Sequence, residues 1–249
     1  MVASSMSISG ANTVLNSIVA DTLEKMNHKL EGLTGDKFTA AVKKLICETL
    51  KENENIIFNG NGYSDEWLEE AEKLGLPNIK TMVDATRYYT DPSIIAMFER
   101  QNVYSEVELK AREEINFEIY AKMLHIEALT MIEMASKLYI PSVIKYCTSL
   151  AESINSIKAT GIAADTSVQN DLLTKASALL SETNKALCDL KEKITKAEHQ
   201  PEGEKLAVYY RDNIRSAMNA LRAPVDALEM IVDKKFWPVP TYGDLLFEV

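Results

Sequence analysis

Apolar side chains recur along most of this chain at steps of three and four residues, the spacing that lays them on one face of an α-helix. Val14, Leu15, Ile18, Val19, Leu23, Met26 and Leu30 form the first such stripe, with Asn12 as its predicted N-cap and Gly32 near its end. A second helix is predicted from Asp36 through Phe38, Val42, Leu45, Ile46 and Leu50, before the polar stretch NENENIIFNGNGY interrupts it. Ser64 then precedes Trp67, Leu68, Ala71 and Leu74, a third helix that stops at Gly75 ahead of Pro77. Two shorter helical pieces follow, from Thr81 to Tyr89 and from Pro92 to Gln101.

The second half is more regular. Ser105 and Glu108 have the spacing of a capping box, in which each side chain satisfies an orphan amide of the first turn, and the helical pattern persists to about Leu138. Pro141 is expected to end that helix and to sit in the first turn of the next, which runs to about Thr160 before Gly161. From Leu173, the series Ala176, Leu180, Thr183, Leu187, Leu190, Ile194 and Ala197 alternates steps of three and four, a heptad seam. After the breaker EHQPEGEK a matching series runs through Ala207, Tyr210, Ile214, Ala217, Leu221, Pro224, Leu228 and Ile231. Two seams with a short connection should zip into an antiparallel hairpin, since each alone would leave its stripe in water, and Pro224 should kink the second arm. The closing FWPVPTYGDLLFEV sets Phe236, Trp237, Tyr242, Leu245, Leu246 and Phe247 around two prolines that forbid a continuous helix, so it should dock as an extended aromatic tail. No run of alternating residues is long enough for a multi-strand sheet. The predicted fold is all-α, a multi-helix bundle with a long antiparallel hairpin and an extended aromatic C-terminal tail.

Composition agrees with long elements and few turns: 9 Gly and 7 Pro in 249 residues are roughly half the usual share. Lys and Arg number 27 against 37 Asp and Glu, and the net charge of -10 argues against nucleic acid and anionic membrane surfaces as partners. Cys47, Cys147 and Cys188 contain no C-x-x-C pair, which fits buried thiols in a reducing compartment and argues against a cysteine zinc site. Residues 1–20 carry no charge, yet they lack a basic start and are interrupted by Ser, Asn and Gly, so they read neither as a secretory signal nor as a bilayer span. A cytoplasmic location is expected.

Candidate chemistry is sparse. A carboxylate-bridged di-iron bundle needs two Glu-x-x-His pairs, but His28, His125 and His199 are each preceded at that spacing by a lysine, namely Lys25, Lys122 and Lys196. His125 lies among Met123, Leu124 and Ile126, with Glu118 one heptad earlier, and reads as a satisfied core histidine in a polar pair. The loop Asn59-Gly60-Asn61-Gly62 precedes a helix, where amides can cradle a phosphate, but Asp65 and Glu66 stand in the anion's place and no P-loop lysine follows. As a calcium loop it would put Ile57 and Leu68 at ligand positions, so a turn is the better reading. Cys147 has no histidine near it in sequence and reads as a packed thiol. Asp65, Glu66, Glu69 and Glu70 read as a solvated helix face.

Four stretches carry a family resemblance. SSMSISGANTVLNSIVADTL over residues 4–23 resembles the segment after the last catalytic strand of type III glutamine synthetases. HIEALTMIEMASKLYIPSV over 125–143, YYRDNIRSAMNALRAPVDALE over 209–229 and the closing FWPVPTYGDLLFEV resemble the same family's C-terminal region. The resemblance implies a parent ligase that condenses glutamate with ammonia at the expense of ATP through a γ-glutamyl phosphate. That parent would be a homo-oligomer with magnesium or manganese held by carboxylates and a histidine in a β-barrel-like site between subunits. Carried over residue by residue, it implies no catalytic, cofactor-binding or metal-binding residue in this chain. The family's metal carboxylates, nucleotide-contacting basic residues and Glu-x-Arg pair would lie upstream of Met1, which corresponds to an internal methionine just past that arginine. Only Ser4 to Gly10 would approach the active-site rim, and Asn12 matches an asparagine that caps a helix.

The implied organisation is a remnant of the catalytic domain over 1–33, its last helix; short connecting helices over 34–104; and a long-helix bundle with the tail over 105–249. The expected function is a structural and oligomerisation portion without the active site, inactive alone, whose partners are copies of itself or the missing catalytic domain. With that domain missing, the stripe Val14, Leu15, Ile18, Val19 and Leu23 must bury itself elsewhere or self-associate. The alternative is a free-standing helical adaptor that binds another protein through the hairpin or the aromatic tail.

Overall fold

The computed structural model describes residues 7–247, and no strand occurs among them. Met1 and Ser4 lie outside the described residues, as do the side chains of Tyr242 and Phe247. The observed fold is all-α. The chain forms two compact units, residues 1–115 and 116–249.

The first unit contains α1 (Ser9–Leu30), α2 (Gly35–Glu52), α3 (Asp65–Lys73), α4 (Met82–Thr86), α5 (Pro92–Arg100) and the start of α6 (Glu106–Met134). Local chemistry sets most of these boundaries. The Ser64, Thr81 and Asp91 side chains accept hydrogen bonds from the first-turn amides of Trp67, Asp84 and Ser93, and Pro92 occupies the position where a missing N–H costs nothing. The capping box forms as read: the Ser105 amide donates to the Glu108 carboxylate at 2.8 Å, and the Glu108 amide donates to Ser105 Oγ at 3.4 Å. Gly75 ends α3 at φ +75°, and this left-handed turn brings the Leu76 amide back to the Ala71 carbonyl at 2.9 Å. α1 begins a turn earlier than its predicted cap. Ser7 Oγ accepts from the Ser9 amide, and Asn12 is already helical, its amide bonded to the Ile8 carbonyl. The apolar centre of the unit is small: Met97, Phe98 and Leu109, with Val14, Tyr89, Ile94, Ile95 and Tyr104 packed against them.

The second unit is built from long rods. α6 continues through a π-helical segment, Ala135–Tyr139, straight into α7 (Ile140–Ala159). Pro141 therefore does not end a helix. It falls in the first turn after the π segment, where the widened turn has already displaced the backbone pairing that its missing N–H would break. α8 (Ser167–Ala197) forms the second rod. The third is α9 (Glu204–Tyr209), a second π segment at Tyr210–Ile214, and α10 (Arg215–Glu229), which runs through Pro224.

Ala176, Thr183, Leu187, Leu190, Ile194 and Ala197 of the first seam are buried, as are Ala207, Tyr210, Ile214, Ala217, Leu221 and Leu228 of the second. Near the connection Tyr209 Oη donates to the Lys193 carbonyl at 3.2 Å, while at the far end Ala176 and Leu228 share one cluster, so the two rods run in opposite directions. The α6 rod closes this core with Ala121, Ala128 and Ala135, small side chains that allow close helix approach. Trp237 is buried beside Val143, Tyr146 and Val232, with its ring 5.1 Å from that of Tyr139, and Phe236 packs at the edge of the same cluster. The short α11 (Tyr242–Phe247) follows, its first turn held by Thr241 and Asp244.

Candidate interaction surface

α1 presents its faces the wrong way round for a helix of a folded unit. Ser17 and Asp21 are buried, and Thr13, Val14, Glu24, Met26 and Leu30 are half-buried, so the polar Ser17 and Asp21 hold the innermost positions of the helix. Ser17 Oγ is satisfied by the Thr13 carbonyl at 2.8 Å. The Asp21 carboxylate, only 7% exposed, accepts from Arg100 Nε at 2.8 Å and also from Arg100 Nη2, with Lys25 Nζ 2.6 Å away on its other oxygen. Gln101 Nε2 donates to Glu24 at 2.6 Å. Hydrogen bonds from Lys25 and Arg100 hold the Asp21 carboxyl below its ordinary range, outweighing the opposing effect of its burial. α1 is thus fastened to the C-terminal end of α5 by charge.

The opposite face carries the apolar stripe. Leu15, Val19 and Leu23, at successive steps of four, are 60%, 56% and 59% exposed, and Ile18 beside them is 45% exposed. Of the predicted stripe, Val14 packs against the Phe98 cluster. Single exposed leucines are ordinary; four on one helix face are not.

The other sequence candidates are occupied by packing. His125 Nδ1 lies 2.8 Å from the Tyr210 hydroxyl, where the resemblance segments 125–143 and 209–229 meet. The pairing with Glu118 does not form: Glu118 is exposed and bonded to Lys122, because a side chain seven residues back lies two helical turns away, whereas Tyr210 faces His125 from the neighbouring rod. Burial raises the Tyr210 phenol's proton affinity, and Glu198 adds to the effect. In the Asn59–Gly62 loop, Gly60 abuts the Phe58 ring, which stacks on Trp67 at 4.0 Å, so the loop serves an aromatic contact. Cys147 is half-buried at the edge of the Trp237 cluster, and burial pushes its thiol up, away from nucleophilic character. Cys47 and Cys188 are exposed, not buried as their small apolar character suggests; both stand off the apolar stripes of their helices. Among the described residues no three His, Cys, Asp or Glu side chains converge to hold a metal ion, and no helix is long and apolar enough to cross a membrane.

The Asp21–Arg100 pair escaped sequence reading because its members lie 79 residues apart. The one local signal was an acid on the flank of an apolar stripe, with Lys25 four residues on.

Residues 41–158 match the glutamine synthetase C-terminal domain family. A glutamine synthetase of Butyrivibrio fibrisolvens is 35% identical over 224 residues, which are 90% of this chain and 32% of that protein. The type-3 glutamine synthetase of Dictyostelium discoideum is 32% identical over 94% of this chain and 32% of its own length. A glutamine synthetase of Bacteroides fragilis is 28% identical over 98% and 34% respectively. The chain spans about a third of the length of the curated relatives it matches. Along 90% or more of its length the chain is thus similar to a C-terminal portion of glutamine synthetases, one of them named type-3.

Proposed function

We propose that this chain is the structural and subunit-contact portion of an ATP-dependent glutamate–ammonia ligase and holds none of the groups that perform the reaction. The observation that carries this reading is the similarity along 90% or more of the chain to about a third of full-length glutamine synthetases. On this reading residues 1–33 are the last helix of the catalytic domain, 34–104 are connecting helices, and 105–249 are the class-specific bundle and tail. Its partners are the catalytic portion and further copies of itself in a homo-oligomer, in the cytoplasm.

The ATP and divalent metal of the parent enzyme do not fit the side chains of this chain. Phosphoryl transfer to a carboxylate needs cations fixed by several ligands, to offset the charge of two crowded anions. The best-shielded carboxylate, Asp21, is already saturated by Arg100 and Lys25. His125 is engaged with Tyr210, and Asp65 and Glu66 stand in the first turn of α3 beside a loop turned towards its own aromatic side chains. The long rods bury each other's stripes, which is the chemistry of a scaffold.

The test is a glutamine-formation assay on the purified chain with glutamate, ammonia, ATP and magnesium, repeated with manganese. The expected result is no turnover above the protein-free control, and glutamine formed in proportion to chain concentration would overturn the reading.

A further inference from the structure

We infer that the cavity between the π segment at Ala135–Tyr139, α10 and the C-terminal tail is a binding site for a small alkylammonium ligand, its hydrocarbon body among Met131, Met134 and Val225 and its cationic head on Glu229 and the Tyr139 hydroxyl. This goes beyond the proposed function and does not rest on it.

The cavity measures about 330 Å³, within the size range of small-molecule sites. Most of its lining is apolar. Met131 and Met134 come from α6, Leu221 and Val225 from α10, and Val239 and Leu245 from the tail. Methionine side chains adapt to the shape of an aliphatic chain. Ala135 and Tyr139, the two ends of the π segment, line the cavity as well, so the widened turn shapes one wall; such turns recur at functional sites.

The charge that selects the ligand comes from α10. Leu221, Val225 and Glu229 follow at steps of four, so a row that begins in the core ends in a carboxylate at the cavity. Asp226, also in the lining, is exposed and accepts from Arg222 Nε at 3.1 Å. Glu229 is half-buried, and among the described residues its carboxylate has no hydrogen-bond or ion-pair partner; the Tyr139 hydroxyl likewise has none. Glu229 is moreover the last residue of α10, where the negative end of the helix dipole opposes a carboxylate and favours a cation. Burial, and then the charges of Glu229 and Asp226, raise the proton affinity of the Tyr139 phenol, so both carboxylates act on that one hydroxyl. An unpaired, half-buried carboxylate costs stability, and a ligand ammonium offsets that cost by donating to it and to the phenol oxygen. An anion would meet two carboxylates, and a neutral chain would leave Glu229 unpaired. One positive charge on an apolar body is the complement.

The test is calorimetric titration of the whole chain with hexylammonium chloride, and with 1-hexanol and hexanoate as neutral and anionic probes of the same length. Glu229→Gln is compared with Glu152→Gln, which removes the same formal charge from an exposed position on α7 outside the cavity lining. The expected result is one hexylammonium per chain, bound at least about 10-fold more tightly than hexanol, and no saturation with hexanoate. Glu229→Gln should weaken hexylammonium about 10-fold and leave hexanol unchanged, whereas Glu152→Gln should alter neither. Because Glu229 has no partner to lose, its variant should unfold no sooner than the unsubstituted chain.

Earlier unfolding of Glu229→Gln would mean that the carboxylate is already engaged, and would overturn the inference. So would a lack of saturation with hexylammonium, or equal affinity for hexanol. Equal weakening by the two substitutions would assign the binding to the net charge of -10 and not to the cavity. Affinity that falls as the chain is concentrated, together with self-association, would give the cavity to a second copy and overturn the inference as stated.

Discussion

Asp21 is buried while Leu23, two residues on, lies in solvent, and Arg100 is the cause. The pair makes a prediction with a definite sign. Because the Asp21 carboxyl titrates below its ordinary value of 3.8 in the folded chain, the stability it contributes is complete above that value and is lost as pH falls through the lower folded value. Asp21→Asn should therefore flatten the acid limb of the first unit's stability curve, as followed by the fluorescence of Trp67 with Trp237 replaced by Phe. An unchanged acid limb would mean that the pair holds nothing together. In the second unit, Tyr210→Phe removes one neutral hydrogen bond to His125 and should cost about 1 kcal/mol, whereas Leu190→Ala empties a fully buried seam position and should cost about 2–5 kcal/mol. Thermal or urea unfolding ranks the two, and a reversed order would mean that the polar pair, not the seam, organises the rods. The sequence announces Leu190 through its seam, whereas the Tyr210 partner of His125 depends on how two distant rods align and was not legible.

Among the elements, the π segment at Ala135–Tyr139 has a readable cause. Core positions on α6 follow Ala121, Leu124, Ala128, Met131 and Ala135, steps of three and four, but the series resumes at Tyr139, Val143, Tyr146 and Leu150. Three successive steps of four, from Met131 to Val143, put a four where the alternation calls for a three and so add one residue to the repeat; an unbroken helix would have rotated Leu138 into the core, and Leu138 is 38% exposed. The wide turn absorbs the extra residue, so both flanking helices keep their stripes on one line. Deleting Ser136, whose buried hydroxyl has no hydrogen-bond partner, should convert the segment to regular α-helix and leave Val143 and Tyr146 in place. Deleting Ser149 instead rotates Leu150 and Ile154 off the seam by about 100° and should cost several times more, at about 1.5–3 kcal/mol for each aliphatic side chain exposed. Unfolding curves for the two deletions decide; similar losses would refute the phase argument. The second π segment, at Tyr210–Ile214, gave no such signal, since its seam steps are regular.

At the scale of the whole chain, what was legible is what each helix encodes about itself, the Ser105–Glu108 capping box and the buried positions of the two heptad seams; Asn12, expected as a cap, is helical, and residues 242–247 of the tail expected to be extended form a short helix. Buried Trp237 shows where part of that tail goes. What was not legible is whatever depends on a partner. The α1 stripe reads from sequence as a face in need of cover, and its placement against α5 leaves Leu15, Ile18, Val19 and Leu23 exposed among the described residues. The exposed Cys47 and Cys188 make the same point, since compartment chemistry permits a thiol without dictating its burial.

The account's central claim is that these rods are scaffold and assemble no site for the chemistry of their family. The measurement that tests this most directly is equilibrium binding of magnesium–ATP to the purified chain by calorimetry or dialysis. The account requires no saturable binding up to millimolar nucleotide; a stoichiometric site gripped by this polypeptide alone would contradict it.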